Sequence, residues 1–308
     1  MIRLAHLADL HLGARLRAVP EYPGCPPIDP VQMAYDAFDA LLRHILDGGY
    51  DGVLIAGDLF DRHEATSRAA NTANAALADL HDAGIPVALI WGNHDAESPL
   101  PEQLRPPPSC WVAPIEAPGT HYWPDSGIVV HGRSIGDPDE LRDLAADYPE
   151  PVDGWTNIGL LHTSLTGGDS RRPCAPTTLT TLTASGYDYW ALGHVHRRLQ
   201  LTDNPTVAYA GNPYPARKTE YGPRGFLEFR PAEPATAIPI DTTPVVREIL
   251  TADTESDIWK RFADYLPNNR TTIWTLSGPP ELLDSAREAA RHYPGFAVAD
   301  GRAKNMPG

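Results

Sequence analysis

Short apolar runs alternate with longer segments of helical periodicity through the first ninety residues. Residues 2–8 form an apolar run closed by a polar break, the pattern of a buried strand. A Pro-rich loop, EYPGCPPIDP, follows. Residues 31–47 space Ala34, Phe38, Leu41, Leu42, Ile45 and Leu46 along one face of an amphipathic helix, and Gly48-Gly49 stops it. DGVLIAGD holds a second buried strand at 52–56, residues 66–83 predict a second helix ended by Gly84, and PVALIWGNHD holds a third strand at 87–91. This rhythm predicts an α/β fold with a largely parallel sheet covered by helices.

The middle of the chain is less regular. Strands are expected at 128–132, 157–161, 188–192, 206–210 and 225–229, with a helix at 138–147. Near residue 235 the character changes, and RPAEPATAIPIDTTP has the composition of a linker. Beyond it lie strand-like segments at 245–250 and 271–276 and helices at 254–265 and 280–291. The expected organisation is therefore one large domain, 1–235, and a small α+β domain, 236–308.

Polar residues cluster where the predicted strands end. Asp9 and His11 close the first, Asp58 the second, and Asn93, His94 and Asp95 the third. His162 closes a later strand, and His194 and His196 the next. In open α/β sheets, ligands bind beyond the carboxyl ends of strands. Five strand ends thus deliver metal-ligand side chains to one edge. Carboxylate offsets the repulsion between two cations, while imidazole and amide oxygen complete coordination without adding charge. Asp9 and His11 are two residues apart and face one side of an extended segment, as do His194 and His196. Gly57, Gly92 and Gly193 precede ligands, where a small residue lets backbone approach closely. Taken singly the motifs say less: DLH alone is weak, GNHD alone is moderate because a turn explains Gly-Asn, and solvated histidines explain GHVH. Together and in order, they leave coincidence at roughly a few per cent.

Composition changes this picture little. Against 25 basic residues stand 40 acidic ones, a formal charge of -15, which argues against polyanion binding over the whole surface. A local basic rim remains compatible with it. Cys25, Cys110 and Cys174 form neither a disulfide framework nor a CxxC site. The N-terminus lacks signal-peptide character and no segment has the length of a membrane span, so a cytoplasmic location without membrane association is expected.

DLH, GDLFD, GNHD, LLHTS and GHVH resemble the calcineurin-like metallophosphoesterase superfamily, over Ile2 to about Phe229. The longer strings HLADLHLG, LIAGDLFDRH, YDYWALGHVHRR and YAGNPYPARKTEYGPRGF resemble its SbcD-like DNA repair exonuclease branch. The resemblance implies a sandwich of two mixed β-sheets flanked by helices, with a small α+β C-terminal cap. It implies two divalent ions, Mn first, with Fe, Zn or Mg as alternatives. Asp9, His11 and His196 would hold one, and Asn93, His162 and His194 the other, with Asp58 bridging. His94 would contact the scissile phosphate or protonate the leaving oxygen. Asp95 either orients His94 or caps a loop.

Two departures follow. Archaeal and eukaryotic nucleases of the resembled family carry a second functional His after GDLF, where bacterial SbcD-like members often have Asp; this chain has Asp61, with His63 nearby. SbcD-type proteins continue into a helical segment that docks the ATPase SbcC. None is recognisable in residues 241–308, so an SbcC-like ATPase partner, like a homodimer, is expected from the resemblance alone. Asp61, His63, Arg197, Arg198, Arg217 and Lys218 are candidate substrate contacts, and Tyr214 and Tyr221 candidate base-stacking residues. Solvated surface charge explains each basic residue at least as well, a surface role explains His63 better, and core or loop packing explains the tyrosines better. The leading expectation is a Mn-dependent nuclease acting on single- or double-stranded DNA ends. The alternatives are a small-molecule or nucleotide phosphodiesterase, or a non-catalytic DNA-end-binding scaffold.

Overall fold

The computed structural model describes residues 2–63, 66–166, 172–231, 236–264, 271–293 and 295–301. Residue 265, where the second-region helix was expected to end, and residues 302–308 lie outside these. The chain divides into two compact units. The first comprises Met1–Ala14, Phe38–Pro213 and Arg224–Thr242, and the second Arg15–Ala37, Tyr214–Pro223 and Thr243–Gly308.

In chain order the elements are β1 (Leu4–Leu7), α1 (Gln32–Gly48), β2 (Gly52–Ala56), α2 (Ser67–Asp82), β3 (Val87–Ile90), α3 (Asn93–Glu97), β4 (Cys110–Val112), β5 (Gly119–Trp123), β6 (Ile128–Gly132) and β7 (Thr156–His162). They continue with α4 (Leu179–Ala184), β8 (Tyr189–Gly193), β9 (Leu199–Asp203), β10 (Thr206–Tyr209), β11 (Gly225–Arg230), β12 (Thr236–Asp241), β13 (Val245–Thr251), α5 (Glu255–Ala263), β14 (Thr271–Ser277), α6 (Leu283–His292) and β15 (Phe296–Ala299).

The first unit contains two six-stranded sheets, ordered β12-β11-β1-β2-β3-β4 and β5-β6-β7-β8-β10-β9. Each has a parallel centre and antiparallel flanking pairs: β1/β11 and β11/β12 in one, β5/β6 and β9/β10 in the other. The expected pair of mixed sheets flanked by helices is what the chain forms. Burial on both faces explains the uninterrupted apolar runs. In β2, Val53 and Ile55 join the helix-side core with Leu41, Ile45, Ala73 and Leu77. Leu54 and Ala56, one residue out of phase, join Ile158, Leu160 and Ala191 in the core between the sheets. Strand periodicity of two therefore assigns each side chain to its layer. The Thr66 side chain accepts from the Ala69 amide and starts α2, whose Ala69, Ala73, Ala76, Leu77 and Leu80 form its buried stripe.

In the second unit, β13, α5, β14, α6 and β15 alternate, and all strand pairs are parallel. The third strand, β15, was not legible in the sequence. Ile258, Phe262, Trp274, Ala286 and Phe296 fill its core. Thr254 and Asp257 form a capping box at the start of α5.

The structure differs from expectation in two other places. The stretch read as a linker contains β12, paired along its length with β11, and the units divide after Thr242 rather than at 235. Residues 138–147 hold only a single 3-10 turn, Leu144–Asp147. There the carboxylates of Asp137, Glu140 and Asp143 accept the amides of Asp139, Arg142 and Ala145, which competes with helix formation. Among the described residues, no helix is long and apolar enough to cross a membrane.

Candidate metal centre

β1, β2, β3, β7 and β8 all run toward the candidate centre. Asp9 and His11 follow β1, Asp58 follows β2, Asn93 and His94 open α3 after β3, His162 is the last residue of β7, and His194 and His196 follow β8. Asp9, His11, Asp58, Asn93 and His162 are buried, whereas His94, His194 and His196 are partly exposed.

The backbone is unusual at these positions. Asp9, His11, Asp58 and His194 have φ of 52°, 43°, 54° and 96°. Non-glycine residues rarely adopt the left-handed region, and the cost is borne where surrounding structure enforces it. Two glycines make the approach possible. A Cβ at Gly92 would run into Asp58 Oδ1, and a Cβ at Gly193 into the Ala56 carbonyl.

Hydrogen-bond geometry fixes where the lone pairs point. His162 Nδ1 lies 2.8 Å from the Ala56 carbonyl, so Nδ1 carries the ring proton and Nε2 is an acceptor. That Nε2 lies 3.1 Å from Asn93 Oδ1. His194 has the opposite tautomer: Nε2 donates to the Arg172 carbonyl at 3.0 Å, and Nδ1 lies 3.1 Å from the same Asn93 oxygen. Three acceptors thus converge with no proton among them. This arrangement suits a cation and is unfavourable without one.

A second convergence lies beside it. Asp9, His11 and His196 offer ligand atoms within 4.8 Å of one another. His11 Nε2 and His196 Nε2 face each other at 3.2 Å. Asp58 stands between the two groups, its Oδ2 3.7 Å from His11 Nε2 and 3.5 Å from His162 Nε2. Its other oxygen accepts the His94 amide at 2.8 Å.

Electrostatics agree with this donor set. Burial pushes His11 and His194 down to about 3, which keeps the imidazoles in the neutral, ligating form. Burial pushes the Asp9 carboxyl up, and the nearby Asp58 charge adds to this, although His196 and His162 oppose it. Burial also opposes ionisation of Asp58, but His162, His11 and His94 outweigh it and hold Asp58 well below the carboxylate range. Two buried carboxylates with neutral nitrogen and oxygen donors fit two hard or borderline divalent cations.

Residues expected nearby separate into groups. Asp61 is at the centre: its Oδ2 lies 3.6 Å from His94 Nδ1 and 3.8 Å from His11 Nδ1. Asp95 is buried, and its carboxylate accepts the amides of Leu59, Phe60 and Gly92 at 3.1, 2.8 and 2.9 Å. It is thus engaged with loop backbone, and the carboxylate beside His94 belongs to Asp61. His63 is exposed, its amide bonded to Asp61 Oδ1 and its ring to Arg62 Nε. Arg197 is exposed, and Arg198 is tied to Asp241 and the Ile240 carbonyl. Arg217, Lys218, Tyr214 and Tyr221 belong to the second unit, where Tyr214 is buried and Arg217 pairs with Glu220. His94 also groups with His11 and Asp58 as a potential ligand triplet. Sequence reasoning missed the Arg172 carbonyl, and also Cys174, whose buried sulfur groups with His162 and His194. Neither carries a motif.

The family model for calcineurin-like phosphoesterases matches residues 2–198. The chain belongs to that family. The family is dimetal-dependent, as the paired donor clusters also suggest. The chain is 30% identical over 230 residues to the metallophosphoesterase YhaO of Bacillus subtilis, covering 72% of this chain and 55% of that protein. It is 33% identical over 247 residues to the DNA double-strand break repair protein Mre11 of Haloferax volcanii, covering 75% and 50%. It is 24% identical over 243 residues to Mre11 of Methanopyrus kandleri, covering 70% and 49%. The chain therefore spans about half the length of the curated relatives it matches.

Proposed function

We propose that this chain is a Mn-dependent two-metal phosphodiesterase that cleaves DNA in repair or end processing, as an SbcD-type exonuclease or endonuclease. The observation that carries this reading is the double convergence of acceptors, at Asn93 Oδ1 and at His11–His196, with Asp58 Oδ2 between them. The SbcD-like strings and the similarity to proteins named for DNA double-strand break repair favour DNA as substrate.

In this reading Asp9, His11 and His196 hold one cation, Asn93, His162 and His194 the other, and Asp58 bridges them. The pair would supply Lewis acidity that activates water and offsets charge on the phosphoryl oxygens. The protein positions the donors: the Ala56 and Arg172 carbonyls lock the tautomers of His162 and His194. His94 faces the same space without sharing the Asn93 oxygen. Burial lowers its pKa, but the Asp61 and Asp58 carboxylates outweigh burial and raise it. It contacts the scissile phosphate or protonates the leaving oxygen, with the Asp61 carboxylate 3.6 Å from its Nδ1.

The second unit, with β13, α5, β14, α6 and β15, is taken as the small capping domain. An SbcC-like ATPase and a second copy of the chain are the protein's proposed partners, and the cytoplasm its proposed location. The formal charge of -15 favours a second reading, a phosphodiesterase of nucleotides or small esters.

The test is hydrolysis by purified protein with Mn²⁺, comparing single- and double-stranded DNA with bis-p-nitrophenyl phosphate. DNA cleavage that disappears in His94→Ala is expected. Cleavage of the small ester alone would transfer the conclusion to the second reading, and cleavage of neither would overturn both.

A further inference from the structure

Beside the candidate metal centre, one acidic side chain joins two arginines. Glu97 Oε2 lies 2.8 Å from Arg62 Nη1, and Glu97 Oε1 lies 3.6 Å from Arg172 Nη2. Each of the three residues is anchored to the centre through its own backbone. Glu97 closes α3, the helix that opens with Asn93 and His94. At a spacing of three residues, Glu97 and His94 share one helix face. Arg62 follows Asp61, whose carboxylate stands beside His94 and His11. Arg172 contributes the carbonyl that receives the His194 ring proton. Three separate segments therefore carry these side chains to one place.

Stability alone does not account for the arrangement. The side chains of Arg62, Glu97 and Arg172 are 27%, 29% and 41% exposed, and Arg172 also pairs with Asp139, which is 75% exposed. Ion pairs this accessible contribute at most about 1 kcal/mol each. Two guanidiniums converging on one tetrahedral or planar oxyanion is, however, the usual arrangement for holding phosphate. Glu97 occupies the position such a phosphate would take. The His63 ring, bonded to Arg62 Nε at 3.0 Å, buttresses one arm.

We propose that Arg62 and Arg172 form a clamp for a phosphate flanking the scissile one on a nucleic-acid strand, and that Glu97 occupies the clamp until the strand displaces it. This rests on the phosphodiesterase reading and narrows its substrate to strands with at least two neighbouring phosphates. A backbone phosphodiester, like a carboxylate, carries one negative charge on two terminal oxygens and can take the place of Glu97 on the two guanidiniums, and seating of the scissile phosphate at the centre makes that exchange intramolecular. The clamp also accounts for how an acidic protein holds a polyanion: basic groups are concentrated at the site rather than spread over the surface.

Binding of a short fluorescein-labelled deoxythymidine oligomer with phosphorothioate linkages tests this, measured by anisotropy on the Mn²⁺-loaded protein. Arg62→Ala and Arg172→Ala are each expected to weaken binding about fivefold to tenfold and to flatten the dependence of log K on log salt by about 0.7. Glu97→Gln is expected to tighten binding about fivefold, because it removes the charge that competes with the strand for Arg62 and Arg172, while Arg172 keeps its pair with Asp139. A merely structural network predicts the opposite sign for Glu97→Gln. Unchanged or weaker binding by Glu97→Gln, unchanged binding by both arginine variants, or no measurable binding by the wild type would overturn the clamp. Failure of the phosphodiesterase reading is seen separately, as absence of hydrolysis of the ordinary phosphodiester oligomer and of bis-p-nitrophenyl phosphate by the wild type. In hydrolysis, losses in kcat/KM for the arginine variants should be about tenfold larger for the oligomer than for the small ester and appear mainly in KM.

Discussion

Asp61 Oδ2 lies 3.6 Å from His94 Nδ1 and 3.8 Å from His11 Nδ1. One carboxylate thus stands beside both a proposed ligand ring and the ring proposed to handle substrate. Burial disfavours its charge, but the nearby His94 and His11 rings and the hydrogen bond from the His63 amide hold it well below the usual carboxylate range. In the proposed mechanism Asp61 is therefore the candidate for positioning His94. Asp61→Asn should lower kcat by about 10–100-fold while KM and bound metal change little. Steady-state kinetics with elemental analysis checks this. A variant with wild-type kcat would remove Asp61 from the mechanism.

Asp58 and His94 make contrasting predictions. Asp58 Oδ2 stands between His11 Nε2 and His162 Nε2, so Asp58→Asn removes the charge shared by both clusters. Metal content should fall toward one ion or none per chain, with activity reduced by at least about 100-fold. His94→Ala should retain its metals and lose turnover by a similar factor. Plasma mass spectrometry on the two desalted variants decides between them. If His94→Ala lost metal and Asp58→Asn kept it, the roles assigned here would be reversed.

The strands and most donors were legible because they coincide. An apolar run buried on both faces ends abruptly at a polar residue, and that boundary marks both the strand end and the centre. What was not legible depends on distant segments meeting. Nothing in the local sequence tells that the Arg172 carbonyl sets the His194 tautomer, or that Asp95 serves the amides of Leu59 and Phe60 while Asp61 serves His94. The edge strands β4, β5 and β9 were missed because they are short or only partly buried and lack a continuous apolar run. β12 was missed because the prolines and alanines of RPAEPATAIPIDTTP suggest a linker, although an outer strand tolerates Pro239.

Gly193 tests the close backbone approach. Its Cα faces the Ala56 carbonyl, which also receives the His162 ring proton at 2.8 Å. Gly193→Ala forces backbone, not a flexible side chain, to move. We expect a loss of about 1–3 kcal/mol in urea unfolding and weaker retention of metal. Gly84 offers the control. It has φ of +74°, and a Cβ there would meet nothing within 4 Å, so Gly84→Ala should cost stability through backbone conformation without changing metal retention. Equal metal retention by both variants would exclude the proposed effect of the approach.

Glu228 on β11 makes the clearest prediction for pH. Its buried carboxylate accepts from Arg3 Nη2 at 2.7 Å, Tyr50 Oη at 2.8 Å and Arg230 Nε at 2.5 Å. Burial alone would raise its pKa, but Arg3, Tyr50 and Arg230 outweigh it and bring Glu228 from 4.5 down to about 2. A carboxyl depressed on folding stabilises the protein above its unfolded pKa and loses that contribution as pH falls toward the folded value. The stabilisation is thus complete at neutral pH, declines below about 4.5 and is gone near 2. Because Arg3 and Arg230 are themselves 30% and 37% exposed, solvent screening reduces it, and Glu228→Gln should cost about 1–3 kcal/mol at pH 7. Urea unfolding of wild type and variant between pH 7 and pH 3 measures the difference directly. The gap should narrow steadily as the solution is acidified, and a gap that stayed constant would mean that packing rather than charge makes Glu228 matter.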